Sequence, residues 1–173
     1  MRQIDLAGLP GLEEDPICHD WWPLIEPDPG GFLSLDLVSQ SWLRESLPTQ
    51  RSASEAVTFT GDELVHFDMR SDNVCFDGRR VVVVDWNHAC RGNGDLNTAT
   101  WLPSLQSEGG PPPETILPAA GELAAWMSGY WAWNAGLPGP ERLRDVQLSQ
   151  LRSALPWAAR ALSLRPLDGP NAP

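Results

Sequence analysis

At 173 residues the chain suits one domain and is a tight fit for two, and its 42% apolar content supports a globular core. Its formal net charge is −11, from 23 acidic and 12 basic residues, all 12 of them arginine; this argues against nucleic acid as a partner and leaves a cationic small substrate open. Three widely spaced cysteines make no disulfide framework, the opening MRQIDLAGLP has no apolar leader core, and no run reaches membrane-spanning length, so a cytoplasmic protein without a membrane partner is expected.

Residues 1–34 are rich in proline, glycine and acidic side chains and read as an irregular lead-in with a short helical turn. Over residues 35–47, Leu35, Val38, Trp42 and Leu43 fall at helical spacing, and Pro48 is expected to end that helix. A polar connection, PTQRSASEAV, follows. DELVHFD then reads as a short strand running into a loop. NVCF and RRVVVVD are two β-branched runs joined through Asp77-Gly78, one of the best short hairpin patterns. Val81 to Val84 is continuously apolar, which predicts a strand covered on both faces.

Beyond RGNG the pattern turns helical: 95–106 with a break near Pro103, then 114–135 interrupted at Pro118, then 141–164. In the last segment Leu143, Val146, Leu151, Leu155, Ala158 and Leu162 mark one apolar face. Residues 166–173 are expected to form a frayed tail. The fold class is therefore α+β and mostly helical, built around one small β hairpin and two loops.

The chemistry concentrates in LVHFDMRSDN and the hairpin after it. His66, Asp68 and Asn73 form H-x-D-x-x-x-x-N, and Asp85 closes the hairpin. Phosphoryl transfer from ATP needs a carboxylate to accept the proton of the attacking hydroxyl. It also needs an amide oxygen and a second carboxylate to hold Mg²⁺ against the phosphates. A paired hairpin makes the outer ends of its strands neighbours, so this order predicts that Asn73 and Asp85 meet.

The stretch LVHFDMRSDNVCFDGRRVVVVDWNHACRGN resembles the aminoglycoside phosphotransferase and choline-kinase-like family, distant relatives of protein kinases, with Asp-Trp where protein kinases carry Asp-Phe-Gly. The resemblance extends more loosely over residues 35–165 and implies the C-terminal lobe of a protein-kinase-like fold. By position it implies Asp68 as catalytic base, Asn73 and Asp85 as Mg²⁺ and nucleotide ligands, His66 as a brace of the catalytic loop, and Arg70 as a phosphate contact or a surface arginine. The implied substrates are ATP and a small hydroxyl compound, cationic in some members. Asn97 falls where the family usually carries an aspartate that steadies the loop, with Asp95 nearby as a substitute.

A larger departure lies upstream. Such kinases carry an N-terminal lobe with a phosphate-covering loop and a strand lysine. Here no lysine occurs, and neither PDPGGF nor RGNG has the strand-turn-helix setting of a phosphate loop. The chain reads as a C-lobe alone, with three explanations open: a misplaced start, an N-lobe supplied by a partner chain, or a remnant without catalysis.

Other readings stand beside this one. His66, Asp68, Asp85 and His88 could form a metal-hydrolase ligand set, although only three histidines exist. A non-catalytic binding lobe is a third class. His88 reads as a structural or surface histidine, and Trp101, Trp126, Trp131 and Trp133 as core, with Trp126 and Tyr130 sharing a helical face. Glu122 and Glu141 read as solvated.

Overall fold

A computed structural model describes residues 6–173, so the first five residues of the lead-in lie outside the described part. In chain order the elements are α1 (Trp22–Ile25), α2 (Gly30–Leu33), α3 (Gln40–Glu55), β1 (Glu63–Val65), β2 (Val74–Asp77), β3 (Arg80–Val83), β4 (Cys90–Gly92), α4 (Asp95–Ser107), α5 (Pro113–Ile116), α6 (Gly121–Gly136) and α7 (Glu141–Ala161). Short 3₁₀ turns stand at Leu12–Glu14, Ser71–Asn73 and Trp86–His88. The α+β, mostly helical class is thus observed. No helix among the described residues is long and apolar enough to cross a membrane.

The body forms around α6, whose residues are apolar on nearly every side, as expected of a helix packed all round. Its C-terminal half joins Trp22, Phe32, Leu37, Trp42, Leu151 and Leu155 in one core. Its N-terminal half joins Leu12, Val65, Leu96, Leu102 and Trp157 in a second. Leu12, Trp22, Ile25 and Phe32 all come from the lead-in, which is therefore part of the packed body and contains three helical turns, not one. Trp22 Nε1 donates to the Ala125 carbonyl at 3.0 Å, so the buried indole keeps a partner.

Helix α3 departs from expectation at both ends. It starts at Gln40 because Ser39 is extended and its hydroxyl accepts from Trp42 N at 3.1 Å, a side-chain N-cap. It continues through Pro48 to Glu55. Pro48 and Arg44 both face solvent, where water can take the Arg44 carbonyl that the proline cannot bond. Most of the expected polar connection is thus helix. Helix α4 likewise runs through Pro103 without a break, whereas the interruption before α6 falls where Pro118 predicts it.

The tail is strapped down. The Asp168 carboxylate accepts from Ser39 N at 2.7 Å and from the Ser39 hydroxyl at 2.8 Å. Gly169 N and Asn171 N donate to the carbonyls of Leu37 and Asp36 at 3.1 and 2.8 Å, and Leu167 packs on the first core. These bonds hold the segment expected to fray.

Two antiparallel pairs make up the β structure. β1 pairs with β4, Val65 opposite Cys90. β2 pairs with β3, Val74 opposite Val83 and Asp77 opposite Arg80. Gly78 in the connecting turn has φ +53°, a conformation glycine adopts without steric cost. The hairpin forms as its sequence predicts, but its expected coverage is absent. Phe76 is 78% exposed and Val81 61%, and Val82 and Val84 are exposed as well. The continuous apolar run reflects a hairpin that no layer among the described residues covers.

Candidate active site

The loop after β1 is held from two sides. On the α4 side, Asn97 uses both ends of its amide: Oδ1 accepts from His66 N at 2.7 Å and Nδ2 donates to the Leu64 carbonyl at 2.9 Å. An aspartate could make only the first bond, so the amide fully serves the steadying position; Asp95 is exposed and takes no part. On the hairpin side, His66 is 1% exposed and both ring nitrogens are committed. Nε2–H donates to the Val84 carbonyl at 2.8 Å, which leaves Nδ1 to accept from Asp68 N at 3.3 Å. One imidazole therefore ties the residue before Asp85 to Asp68 itself. The Trp86 ring packs edge-on against it at 4.6 Å.

Two residues of this region sit in the left-handed backbone region: Phe67 at φ +62° and Asp85 at φ +63°. Non-glycine residues adopt it at a cost of about 1–3 kcal/mol and persist there when surrounding contacts demand it. Here the contacts are the bonds of His66 and the stacking of Phe67 on Trp126, 6.1 Å between centroids.

His66, Asp68, Arg70 and Asn73 are joined by direct contacts, whereas the Asp85 side chain bonds only Asn87 among the described residues. Asn73 Nδ2 donates to the Asp68 carbonyl at 2.8 Å and to Asp68 Oδ2 at 3.3 Å. Asn73 is buried, and Val84 N donates to its carbonyl at 3.0 Å. The closing hairpin thus bonds Asn73 to the residue next to Asp85. Asp85 is exposed and accepts from Asn87 Nδ2. Arg70 faces inward on the same loop: its Nε lies 3.6 Å from Asp68 Oδ1 and its Nη2 3.1 Å from Asp72 Oδ2. Both carboxylates engage the only guanidinium on this loop.

The alternative metal-hydrolase set is not assembled. Among the described residues no three His, Cys, Asp or Glu side chains converge as a metal site. His66 has no nitrogen left to offer, and His88 is exposed.

A cavity of about 300 Å³ opens beside the loop. Asp68 and Arg70 form its rim, α6 contributes Trp126 and Tyr130, and α7 contributes Val146 and Gln150. The Tyr130 phenol is pushed above its ordinary value, first by burial and then by the carboxylates of Asp68 and Asp15. It stays a neutral hydroxyl near neutral pH, close to both acids. Depressions of about 510 and 600 Å³ lie along α3 and along α7, away from every residue of the loop.

Several of these residues escape sequence reading. Leu143 and Val146, expected in the core, are 54% and 37% exposed and border the cavity; the α7 face buries only from Gln150 onward. Gln147 and Gln150, polar interruptions of that face, were the available clue. Asp15 reaches the cavity from the lead-in, and nothing in its local sequence marks it. No protein-family model, curated protein or solved structure matches the chain.

Proposed function

We propose that this chain is the C-terminal lobe of an ATP-dependent small-molecule phosphotransferase of the aminoglycoside phosphotransferase and choline-kinase-like kind. The observation that carries the reading is the His66 ring, bonded at once to Asp68 N and to the Val84 carbonyl. It ties the backbone of Asp68 to the residue before Asp85, a link between the two loops that would serve to position a base and a metal-holding carboxylate for phosphoryl transfer.

In the proposed step Asp68 takes the proton of a substrate hydroxyl. The hydroxyl oxygen forms a bond to the γ-phosphorus of ATP as the bond to the bridging oxygen breaks, and ADP departs with that electron pair. Asn73 Oδ1, which has no partner among the described residues, and the exposed Asp85 carboxylate are the hard oxygen donors for Mg²⁺. That ion would neutralise charge on the phosphates. Asn73 Nδ2 meanwhile holds the Asp68 carboxylate in place. Arg70 would leave Asp72 to meet the transferred phosphate.

No lysine is present to clamp phosphates, and Arg70 is engaged with Asp68 and Asp72. A partner chain carrying a cation and an apolar face would complete the site, and the uncovered hairpin is the surface it would sit on. The second reading, a binding lobe without catalysis, is favoured by that same engagement of Arg70.

Calorimetric titration of the whole chain with ATP and Mg²⁺ tests the proposal, with Asp85→Ala as control. Magnesium-dependent binding that vanishes in Asp85→Ala is expected. Binding unchanged by that substitution would remove Asp85 from the site. Where transfer is measurable, Asp68→Asn should abolish it without changing the fold, and full activity in that variant would refute the base assignment.

A further inference from the structure

The two faces of the β2–β3 hairpin differ. Val74 pairs with Val83 and Phe76 with Val81, so these four side chains share one face, and it is wholly apolar. Phe76 and Val81, at its outer end, stand exposed. The opposite face carries Cys75 and Val82, then the charged pair Asp77 and Arg80. A two-stranded hairpin is marginal alone, and an apolar face this open suits another protein layer.

Charge along the hairpin says which layer. The tip holds Asp77, Arg79 and Arg80, one negative and two positive, a net of +1. Arg79 and Arg80 are exposed and form no ion pair among the described residues. The base holds Asp68, Asp72 and Asp85 against Arg70, three negative and one positive, a net of −2. Four strand residues at about 3.3 Å each separate tip from base by about 13 Å, beyond the screening length of about 8 Å at physiological salt, so the two charges do not cancel. The chain as a whole carries −11, and two copies meeting elsewhere would mostly bring acid to acid. Two hairpins laid face to face and antiparallel instead set each tip on the other's base. Tip on tip, or base on base, would oppose like charges. The hairpin is thus complementary to itself under a two-fold rotation, as an isologous interface requires.

We propose that a second copy of this chain covers the hairpin, with the Phe76–Val81 faces packed together and Arg79 and Arg80 of each copy meeting Asp72 and Asp85 of the other. The second copy is then the partner that brings a cation to the candidate site, the one part of the inference that rests on the phosphotransferase reading. The patch is small. One aromatic ring and three valines cover on the order of 400 Å² per copy, short of the roughly 800 Å² per partner of a stable interface. The dimer is therefore weak, with a dissociation constant of about 10–500 µM, and a dilute chain is a monomer with a bare hairpin.

The test is sedimentation of the whole chain from about 1 µM to about 1 mM, in about 50 mM and about 500 mM salt. A monomer should give way to a dimer, and the higher salt should weaken the dimer several-fold. Phe76→Asp and, separately, Val81→Asp should hold the chain monomeric at every concentration, with circular dichroism unchanged because both positions are exposed. Arg79→Glu with Arg80→Glu, and separately Asp72→Arg, should each weaken self-association. An equimolar mixture of those two variants should associate more tightly than either alone, because each intact tip then finds an intact base. A monomer throughout, association that salt strengthens, association that survives Phe76→Asp and Val81→Asp, or a mixture no tighter than its components would each overturn the proposal. Failure of a dimerising chain to bind ATP with Mg²⁺ would defeat the phosphotransferase reading alone. Magnesium-dependent ATP binding by a chain that never dimerises would defeat this proposal alone.

Discussion

The helical body and the β2–β3 hairpin both carry apolar runs and reach opposite ends. In the body, Trp22, Trp42 and Trp157 are fully buried, and both chain-flanking segments are drawn onto the cores. In the hairpin, Phe76, Val81 and Val82 stand in water. Apolar content alone does not decide burial; a second surface must be there to receive it. The hairpin instead depends on its own ladder, its Gly78 turn, and the bonds that Asn73 and His66 make to Val84. The candidate site lies on the seam between the two regimes.

That contrast can be broken most forcefully in the core. Trp42→Ala should cost about 3–5 kcal/mol, since it empties a fully buried volume and frees the Arg165 carbonyl that the indole bonds at 3.0 Å. Phe76→Ala should stay within about 0.5 kcal/mol in the same denaturant titration. A comparable loss in Phe76→Ala would mean that the hairpin is covered in solution.

The seam comes next. Asn97→Leu leaves His66 N and the Leu64 carbonyl without their partners, and should destabilise by about 1–3 kcal/mol per orphaned group. Hydrogen exchange should quicken at His66 and Asp68 while α6 stays protected. Equal protection of the loop in the variant would show that Asn97 does not hold it.

A smaller effect is expected at the tail. The Asp168 carboxylate is held below its ordinary value, chiefly by the Ser39 backbone N–H. A depressed acid stabilises above its unfolded value of about 3.9, and that contribution fades as pH falls through the lower folded value. The tail should therefore remain docked at pH 5 and release only below about pH 4, as exchange at Gly169 and Asn171 would reveal. Release beginning near pH 6 would require another titrating group.

The mildest probe is alkylation. Burial pushes the thiol of Cys18 up to about 12 and that of Cys90 up to about 11, so both resist iodoacetamide at pH 8. Cys75, exposed on the hairpin, should label readily. Slow labelling of Cys75 would be a second sign that something covers the hairpin.

Local chemistry was legible in the sequence wherever it was also local in cause. The hairpin turn, the meeting of Asn73 with the strand that carries Asp85, and the α6 boundary after Pro118 follow from residues near in sequence. Errors arose where the cause was distant. Pro48 looked like a helix end because its exposed setting could not be read from its neighbours. The tail looked loose because Ser39, which holds Asp168, is far away in sequence. Val81–Val84 looked buried because an apolar run says nothing of whether a partner surface exists. Asp15 and Gln150 reach the cavity only through the packing of three separate segments.

The clamp at Asn97 carries no formal charge. Both of its bonds join neutral groups, so no counter-ion competes for them and no proton can break them across the range in which the protein stays folded. The loop bearing His66 and Asp68 is consequently anchored with equal firmness in dilute buffer and in concentrated salt. Any response of the site to ionic strength must originate in its carboxylates and arginine, above an anchor that salt leaves untouched.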